Sequence, residues 1–411
     1  MYFIYTCLIH ITWFVLKIIA LFNPKIKLFV KGRKGTFSTL ENKISKNDAI
    51  IWVHVASLGE FEQGLPVMEQ LKLDYPTYKI VVTFFSPSGY EVKKNTEIAH
   101  LVTYLPLDTK SNVIQFLNQT HPKLAIFVKY EIWPNYLKEL QHRNIPTLLI
   151  SSIFRKEQIF FKWYGSFMRK TLSKFSFFFV QDENSEKLLN SIDFNNVSVS
   201  GDTRFDRVYK ILEQDNFLAF MSQFKQDKQC FVAGSTWPAD EAILVDHINA
   251  SSNQMQYVIA PHNIKKNHIQ ELKKNITKKT VLYSEIKNIN CTDFEVVIID
   301  TIGLLTKIYS YADIAYVGGG FATGLHNTLE PAVFGIPVLI GPNYKGFKEA
   351  EDLVSQKGAL CVTTKTEFNT IMNQLTSNIE FRTKTGKINA QYVLKNKGAS
   401  IQIVAYIRTL L

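Results

Sequence analysis

IIWVHVASLGEFEQGLPVMEQLKL, residues 50–73, runs as a strand, a small-residue turn and a helix in succession. Ile50–Val55 is apolar at nearly every position instead of alternating, as a strand buried on both faces of a parallel sheet should be. Phe61–Leu73 then carries helical spacing and suits the crossover between parallel strands. The pattern repeats down the rest of the chain. Lys79–Phe84, Leu101–Leu105, Leu124–Val128, Thr147–Ser151, Phe177–Val180 and Val197–Ser200 are further strand candidates of the first half. Cys230–Ala233, Tyr257–Ala260, Thr280–Tyr283, Val296–Ile299, Ile314–Val317, Pro337–Ile340 and Leu360–Val362 follow in the second, with Glu241–Asn249 among the crossover helices. The expected class is α/β, with two doubly wound, Rossmann-like domains in tandem.

No strand candidate falls between Gly201 and Lys228, and Glu213–Lys228 is largely polar, so the boundary is placed there. Residues 1–22 form an N-terminal segment, 23–210 a first domain and 211–411 a second. A chain of 411 residues is long enough for each domain to bury its own core. Open parallel sheets bind ligands beyond the carboxyl ends of their strands, which makes an inter-domain cleft the expected site.

Three constellations sit at such strand ends. HVASLGE (His54–Glu60) brings Glu60 to the close of the first strand, where a carboxylate can take a proton from an attacking hydroxyl. Ser57-x-x-Glu60 is equally a capping box, so a purely structural role competes. EIWPN (Glu131–Asn135) follows the Leu124–Val128 strand and carries a second carboxylate, Glu131. DIAYVGGG (Asp313–Gly320) opens into Gly324-Leu325-His326-Asn327-Thr328-Leu329-Glu330-Pro331, a glycine-rich loop leading into a helix start. Gly318, Gly319 and Gly320 let a backbone approach an anion, and the helix start offers amides and a positive dipole end. This is neither a Walker A loop nor a GxGxxG fingerprint. Asn327-x-x-Glu330 again fits a cap. Gly234-Ser235-Thr236 and Pro261-His262-Asn263 occupy two further strand ends.

Charge and composition narrow the partners. The formal net charge of +11 calls for an anionic one: nucleic acid, anionic lipid or a phosphorylated substrate. Aromatic residues lie mostly in strand-like and N-terminal runs and are not interleaved with basic ones, which argues against nucleic acid. The four cysteines form no CxxC or Cys/His spacing, so neither a disulfide framework nor a zinc site is expected. Met1–Phe22 is almost wholly apolar, with Lys25, Lys27, Lys31, Arg33 and Lys34 behind it. That combination predicts an N-terminal membrane anchor, spanning or interfacial, with the rest of the chain on the cytoplasmic face and drawn to an anionic surface.

The ordered set HVASLGE, EIWPN, GDTRFD, GSTWPADE, PHN, DTIGLL, YADIAYVGGG, HNTLEPAVFGIPVLIGP and NYKGF resembles the Kdo (3-deoxy-D-manno-octulosonic acid) transferases, from the apolar N-terminus to about Asp352. The resemblance implies a GT-B fold, a CMP-Kdo donor, inversion at the anomeric carbon and no essential metal or other cofactor. It implies a lipid A precursor (lipid IVA) as acceptor and the cytoplasmic face of the inner membrane as the place of work in lipopolysaccharide biosynthesis. Glu60 would be the general base, with Glu131 and Arg204 steadying the transition state. Pro261, His262, Ile302, Gly303, Leu304, Asn327, Thr328, Leu329 and Glu330 would line the CMP site. Three positions depart from the family pattern. His262 stands where many members have arginine, Leu304 where they have the acid of GEL, and Lys129 where they carry a glutamate. Two other classes fit the same chain: a GT-B transferase or epimerase using a UDP-sugar, and a membrane-tethered polyanion binder. Cytidine against uridine monophosphate in a thermal protection assay separates the first from a Kdo transferase.

Overall fold

Each strand candidate forms in the computed structural model, which describes residues 1–251, 255–322 and 324–411. In the first half these are β1 (Ile50–Val55), β2 (Lys79–Phe84), β3 (Leu101–Tyr104), β4 (Leu124–Val128), β5 (Thr147–Ser152), β6 (Phe177–Val180) and β7 (Val197–Val199). In the second they are β8 (Gln229–Thr236), β9 (Met255–Pro261), β10 (Thr280–Leu282), β11 (Val296–Ile298), β12 (Ile314–Val317), β13 (Val338–Ile340) and β14 (Ala359–Cys361). The chain divides into two compact units, Met1–Arg207 with Lys397–Leu411, and Val208–Asn396.

The first unit is a seven-stranded sheet in the order β3-β2-β1-β4-β5-β6-β7, and every recorded pairing is parallel. Successive side chains of β1 serve opposite cores, which is why the strand is apolar throughout. Ile50 and Trp52 join Phe116, Phe127 and Tyr136 on one face. Ile51, Val53 and Val55 join Phe61, Val82 and Ile126 on the other. The helix Leu58–Asp74 follows at once, as its spacing predicted. Strand order reverses between β1 and β4, so the loops after these two strands flank the crevice where such a sheet binds ligands.

The second unit repeats the plan in the order β10-β11-β9-β8-β12-β13-β14, again parallel. Phe231, Tyr257, Ile314 and Tyr316 fill one face of its sheet, and Val232, Val258, Val297 and Ala315 the other. Its reversal lies between β8 and β12.

One assignment changes. The whole of 211–411 was expected in the second domain, yet the chain end returns to the first unit. Ile403, Val404 and Ile407 of the helix Ala399–Ile407 are buried in the core beside Ile51 and Val53. Asp206 fixes that return, accepting the backbone N–H of Gly398 at 2.5 Å and of Ser400 at 2.7 Å. A carboxylate on the free amides of a helix start both satisfies them and meets the positive dipole end.

Candidate active site

The crevice of the first unit gathers two expected carboxylates and one histidine that the sequence reading left without a role. Glu60 lies in the first turn of Leu58–Asp74, where its Oε2 accepts the N–H of Ala56 and, at 3.0 Å, that of Ser57. The cap half of the sequence reading is therefore real, and it aims the side chain. Among the described residues no hydrogen bond engages Oε1. Burial, and then the neighbouring Glu131 charge, raise the Glu60 carboxyl above the usual carboxylate range, against the pull of the two amides and of His54. A carboxyl with a raised pKa is a better proton acceptor once ionised.

Glu131 is held from two sides. His54 Nε2 lies 2.9 Å from its Oε2, and Trp133 Nε1 donates to the same oxygen at 2.9 Å. A carboxylate only accepts, so Nε2 carries the hydrogen of that contact. On its other side the ring meets Thr83, with Nδ1 2.8 Å from Oγ1 and 3.0 Å from the carbonyl oxygen. His54 is fully buried, the polar exception in an apolar strand. The signal was present in the sequence: a lone histidine at the last inward position of IIWVHV. Lys129, directly after β4, has a left-handed φ of 70°.

Arg204 begins the helix Arg204–Tyr209, and its Nε donates to Asp202 at 2.8 Å. Asp202 in turn accepts Gln63 Nε2 at 3.2 Å, and Thr203 donates to the Gln63 carbonyl at 2.6 Å. The GDTRFD stretch is thereby stitched to the helix Leu58–Asp74 that carries Glu60. Asp202 was another role the sequence reading did not assign.

The crevice of the second unit is built differently. Trp237 after β8, His262 after β9 and His326 after β12 meet face to face. The Trp237 and His262 rings stack at 4.7 Å with 15° between planes, and His262 lies 4.6 Å from His326. Trp237 Nε1 donates to His326 Nε2 at 3.0 Å. Burial, reinforced by His262, lowers the His326 pKa against the opposing pull of Asp240. Asp240, fully buried, takes the hydroxyl of Tyr316 at 2.7 Å, the N–H of Gly319 at 2.8 Å and that of Trp237 at 2.9 Å.

Two amides of the glycine loop are thus already engaged, that of Gly319 by Asp240 and that of Gly318 by the Gly234 carbonyl at 2.9 Å. These glycines serve close approach. A Cβ at Gly318 would meet the Ser235 carbonyl oxygen at 2.3 Å, and one at Gly320 the Gly341 amide at 2.6 Å. Beyond the loop, Asn327 Oδ1 caps Leu329 N–H at 3.1 Å while its Nδ2 donates to Glu330 at 3.1 Å. Thr306, the residue after the DTIGLL stretch, donates to Glu330 of the HNTLEP stretch at 3.4 Å. Thr328 Oγ1 is buried with no hydrogen-bond partner among the described residues. Pro261 ends β9, Leu329 is buried, Ile302 is 85% exposed, and Gly303, at φ 98°, faces open space. Leu304, half-buried, precedes the helix Leu305–Ile308.

Residues 18–207 match the family model of 3-deoxy-D-manno-octulosonic-acid transferase (kdotransferase). A 3-deoxy-D-manno-octulosonic acid transferase of Haemophilus influenzae is 30% identical over 370 residues, 85% of this chain and 84% of the relative. A bifunctional glycosyltransferase/methyltransferase of Fusobacterium nucleatum is 28% identical over 375 residues, 87% of this chain, which spans only 57% of that longer relative. Among solved structures, the UDP-GlcNAc 2-epimerase of Neisseria meningitidis bound to UDP-GlcNAc matches with a TM-score of 0.63 at 17% identity, covering 88% of this chain and 100% of that one. That likeness is one of fold, and the fold is GT-B. Two parallel sheets of matching plan, the 30% identical relative in Haemophilus and the family model over the first unit agree: the chain belongs to the 3-deoxy-D-manno-octulosonic acid transferase family of glycosyltransferases.

Proposed function

We propose that this enzyme transfers Kdo from CMP-Kdo to a lipid A precursor, lipid IVA, at the cytoplasmic face of the inner membrane. The observation that carries the mechanism is the Glu60 carboxyl at the sheet's reversal point, aimed by two backbone amides and made more basic by burial and by Glu131. Glu60 takes the proton of the acceptor hydroxyl as that oxygen attacks the anomeric carbon. The bond from that carbon to the phosphate oxygen breaks, and CMP departs with the electron pair. Attack opposite the leaving group inverts the centre. Glu131, fixed by His54 and Trp133, and Arg204, fixed by Asp202, steady the charge that develops.

The second unit holds CMP. The Trp237, His262 and His326 rings offer flat faces suited to a base, while Glu330 and the unsatisfied Thr328 hydroxyl offer polar groups suited to a ribose or phosphate. The proposal includes no metal ion. The acceptor's phosphates and the anionic leaflet account for the excess positive charge.

The test is mass spectrometry of lipid IVA incubated with the enzyme and CMP-Kdo, beside parallel incubations with UDP-sugars. A mass gain of one or more Kdo units with CMP-Kdo alone is expected. Modification only with a UDP-sugar overturns the donor assignment.

A further inference from the structure

The helix Tyr2–Ile19 has two unlike faces. One face is laid against the first unit along its whole length. Tyr5 donates to Asp108 at 2.8 Å, and Asn135 donates to Thr6 at 3.2 Å. The Tyr2 ring packs edge-on against Phe167 at 5.0 Å, with Lys138 over it at 4.9 Å. At the far end, Trp13, Leu16 and the buried Ala20 pack against Phe29 and Val30. Tyr2, Tyr5, Thr6, Trp13, Leu16 and Ala20 recur at helical spacing, so this is one continuous seam. The opposite face exposes Phe3, Leu8, Ile11, Phe14 and Ile18.

A helix of 18 residues is about 27 Å long, barely the ~30 Å of a hydrocarbon core. Crossing that core would take nearly every residue, whereas both ends of this helix are docked on the same protein surface. Its polar seam contacts would be broken by insertion across the bilayer, with the Asp108 carboxyl losing its Tyr5 partner.

A second exposed apolar feature borders the seam. Phe167, which receives Tyr2, belongs to a helix entered from Trp163 and Tyr164, whose side chains are 90% and 57% exposed. Tryptophan and tyrosine are the residues of the membrane–water interface, apolar in body and polar at the tip. Lys25, Lys27, Lys31 and Lys34 are exposed just beyond the helix, and Lys110 and Lys138 beside its start. Arg33, expected among these cations, is not available to lipid. It is buried, donates to the carbonyls of Leu105 at 3.0 Å, Phe29 at 3.0 Å and Phe85 at 2.7 Å, and lies over the Phe29 ring at 3.6 Å. It fastens the helix Pro24–Gly32 to the unit instead.

We infer that the N-terminal helix lies in the plane of the membrane interface and does not cross it, and that with Trp163 and Tyr164 it forms one surface for an anionic bilayer. The inference rests on the membrane reading above and specifies its geometry. Apolar side chains enter the acyl boundary while the flanking lysines meet lipid phosphates.

Three readouts on the full chain test it. Flotation with vesicles of phosphatidylethanolamine and phosphatidylglycerol should succeed, and the W163A/Y164A variant should lose binding severalfold. Alkaline carbonate should release the wild-type chain from cell membranes. In a Cys7→Ser background, a cysteine placed by Phe3→Cys should stay unlabelled by a membrane-impermeant maleimide in intact spheroplasts. Labelling in intact spheroplasts, carbonate resistance, or full binding by W163A/Y164A would overturn the in-plane geometry while leaving membrane attachment standing. Failure to float, with or without self-association of the chain, would overturn the membrane reading itself.

Discussion

The two crevices share a topology and differ in what they place at it. In the first unit the strand ends carry a hydrogen-bonded chain, Thr83 to His54 to Glu131, beside Glu60, whose proton affinity is raised. In the second, Asp240 at the reversal point is spent on the Tyr316 hydroxyl and on the amides of Gly319 and Trp237. What that crevice presents is three closely packed rings and a few polar groups around Glu330. A doubly wound sheet thus supplies a place and not a chemistry. On the proposed function, the first crevice moves a proton and the second holds a flat, polar ligand.

The largest effect is expected where the proton moves. Glu60→Gln keeps an oxygen that can accept from Ala56 and Ser57 but removes the base, so turnover should fall by roughly 10²–10⁴-fold with CMP affinity intact. Near-normal turnover would reduce Glu60 to a cap and erase the contrast. Next in size is Ile403→Ala. It opens the core of the first unit and should lower stability by about 2–5 kcal/mol, read by denaturant unfolding, while CMP titration of the folded protein is unchanged. Loss of CMP binding in the folded variant would show that the two units do not divide the labour as described. Glu330→Ala should weaken CMP binding in calorimetry by about tenfold, or ~1.4 kcal/mol. A lowered melting temperature with unchanged affinity would make Glu330 structural. The smallest effect is none at all: dialysis against a chelator should leave turnover as it was, and recovery on adding a divalent cation would refute the metal-free reading.

The strands were legible because burial on both faces leaves no room for polar positions, and runs such as Ile314–Val317 announce themselves. Glu131 drew notice as a carboxylate at a strand end with no obvious packing role, and Glu60 as one that closes the first strand, although its spacing equally reads as a cap. What escaped the sequence were partnerships between distant positions. His54 looked like one polar residue in an apolar run until Glu131 and Thr83 met it. Asp240 sits in a helix start and looks like a cap, yet it pins a loop 79 positions away. Asp206 gives no local hint that it receives the start of the last helix. Arg33 counted as a surface charge because nothing nearby in sequence reveals the three carbonyls that bind it. The glycine loop was read as an anion site, yet two of its amides serve the fold.

The coupling between Glu60 and Glu131 is the centre of the mechanism, and the pH dependence of turnover measures it. After burial, the Glu131 charge is the largest influence raising Glu60, ahead of the opposing pull of His54. An essential base must be ionised, so the wild-type acid limb should lie above the ordinary glutamate value of about 4.3. Glu131→Gln removes a like charge, lowers the Glu60 pKa and should move that limb to lower pH, on top of any loss in maximal rate. The measurement is the acid limb of kcat for wild type and Glu131→Gln at saturating CMP-Kdo. A shift toward acid is the predicted result, and an unmoved limb would contradict Glu60 as the base tuned by Glu131.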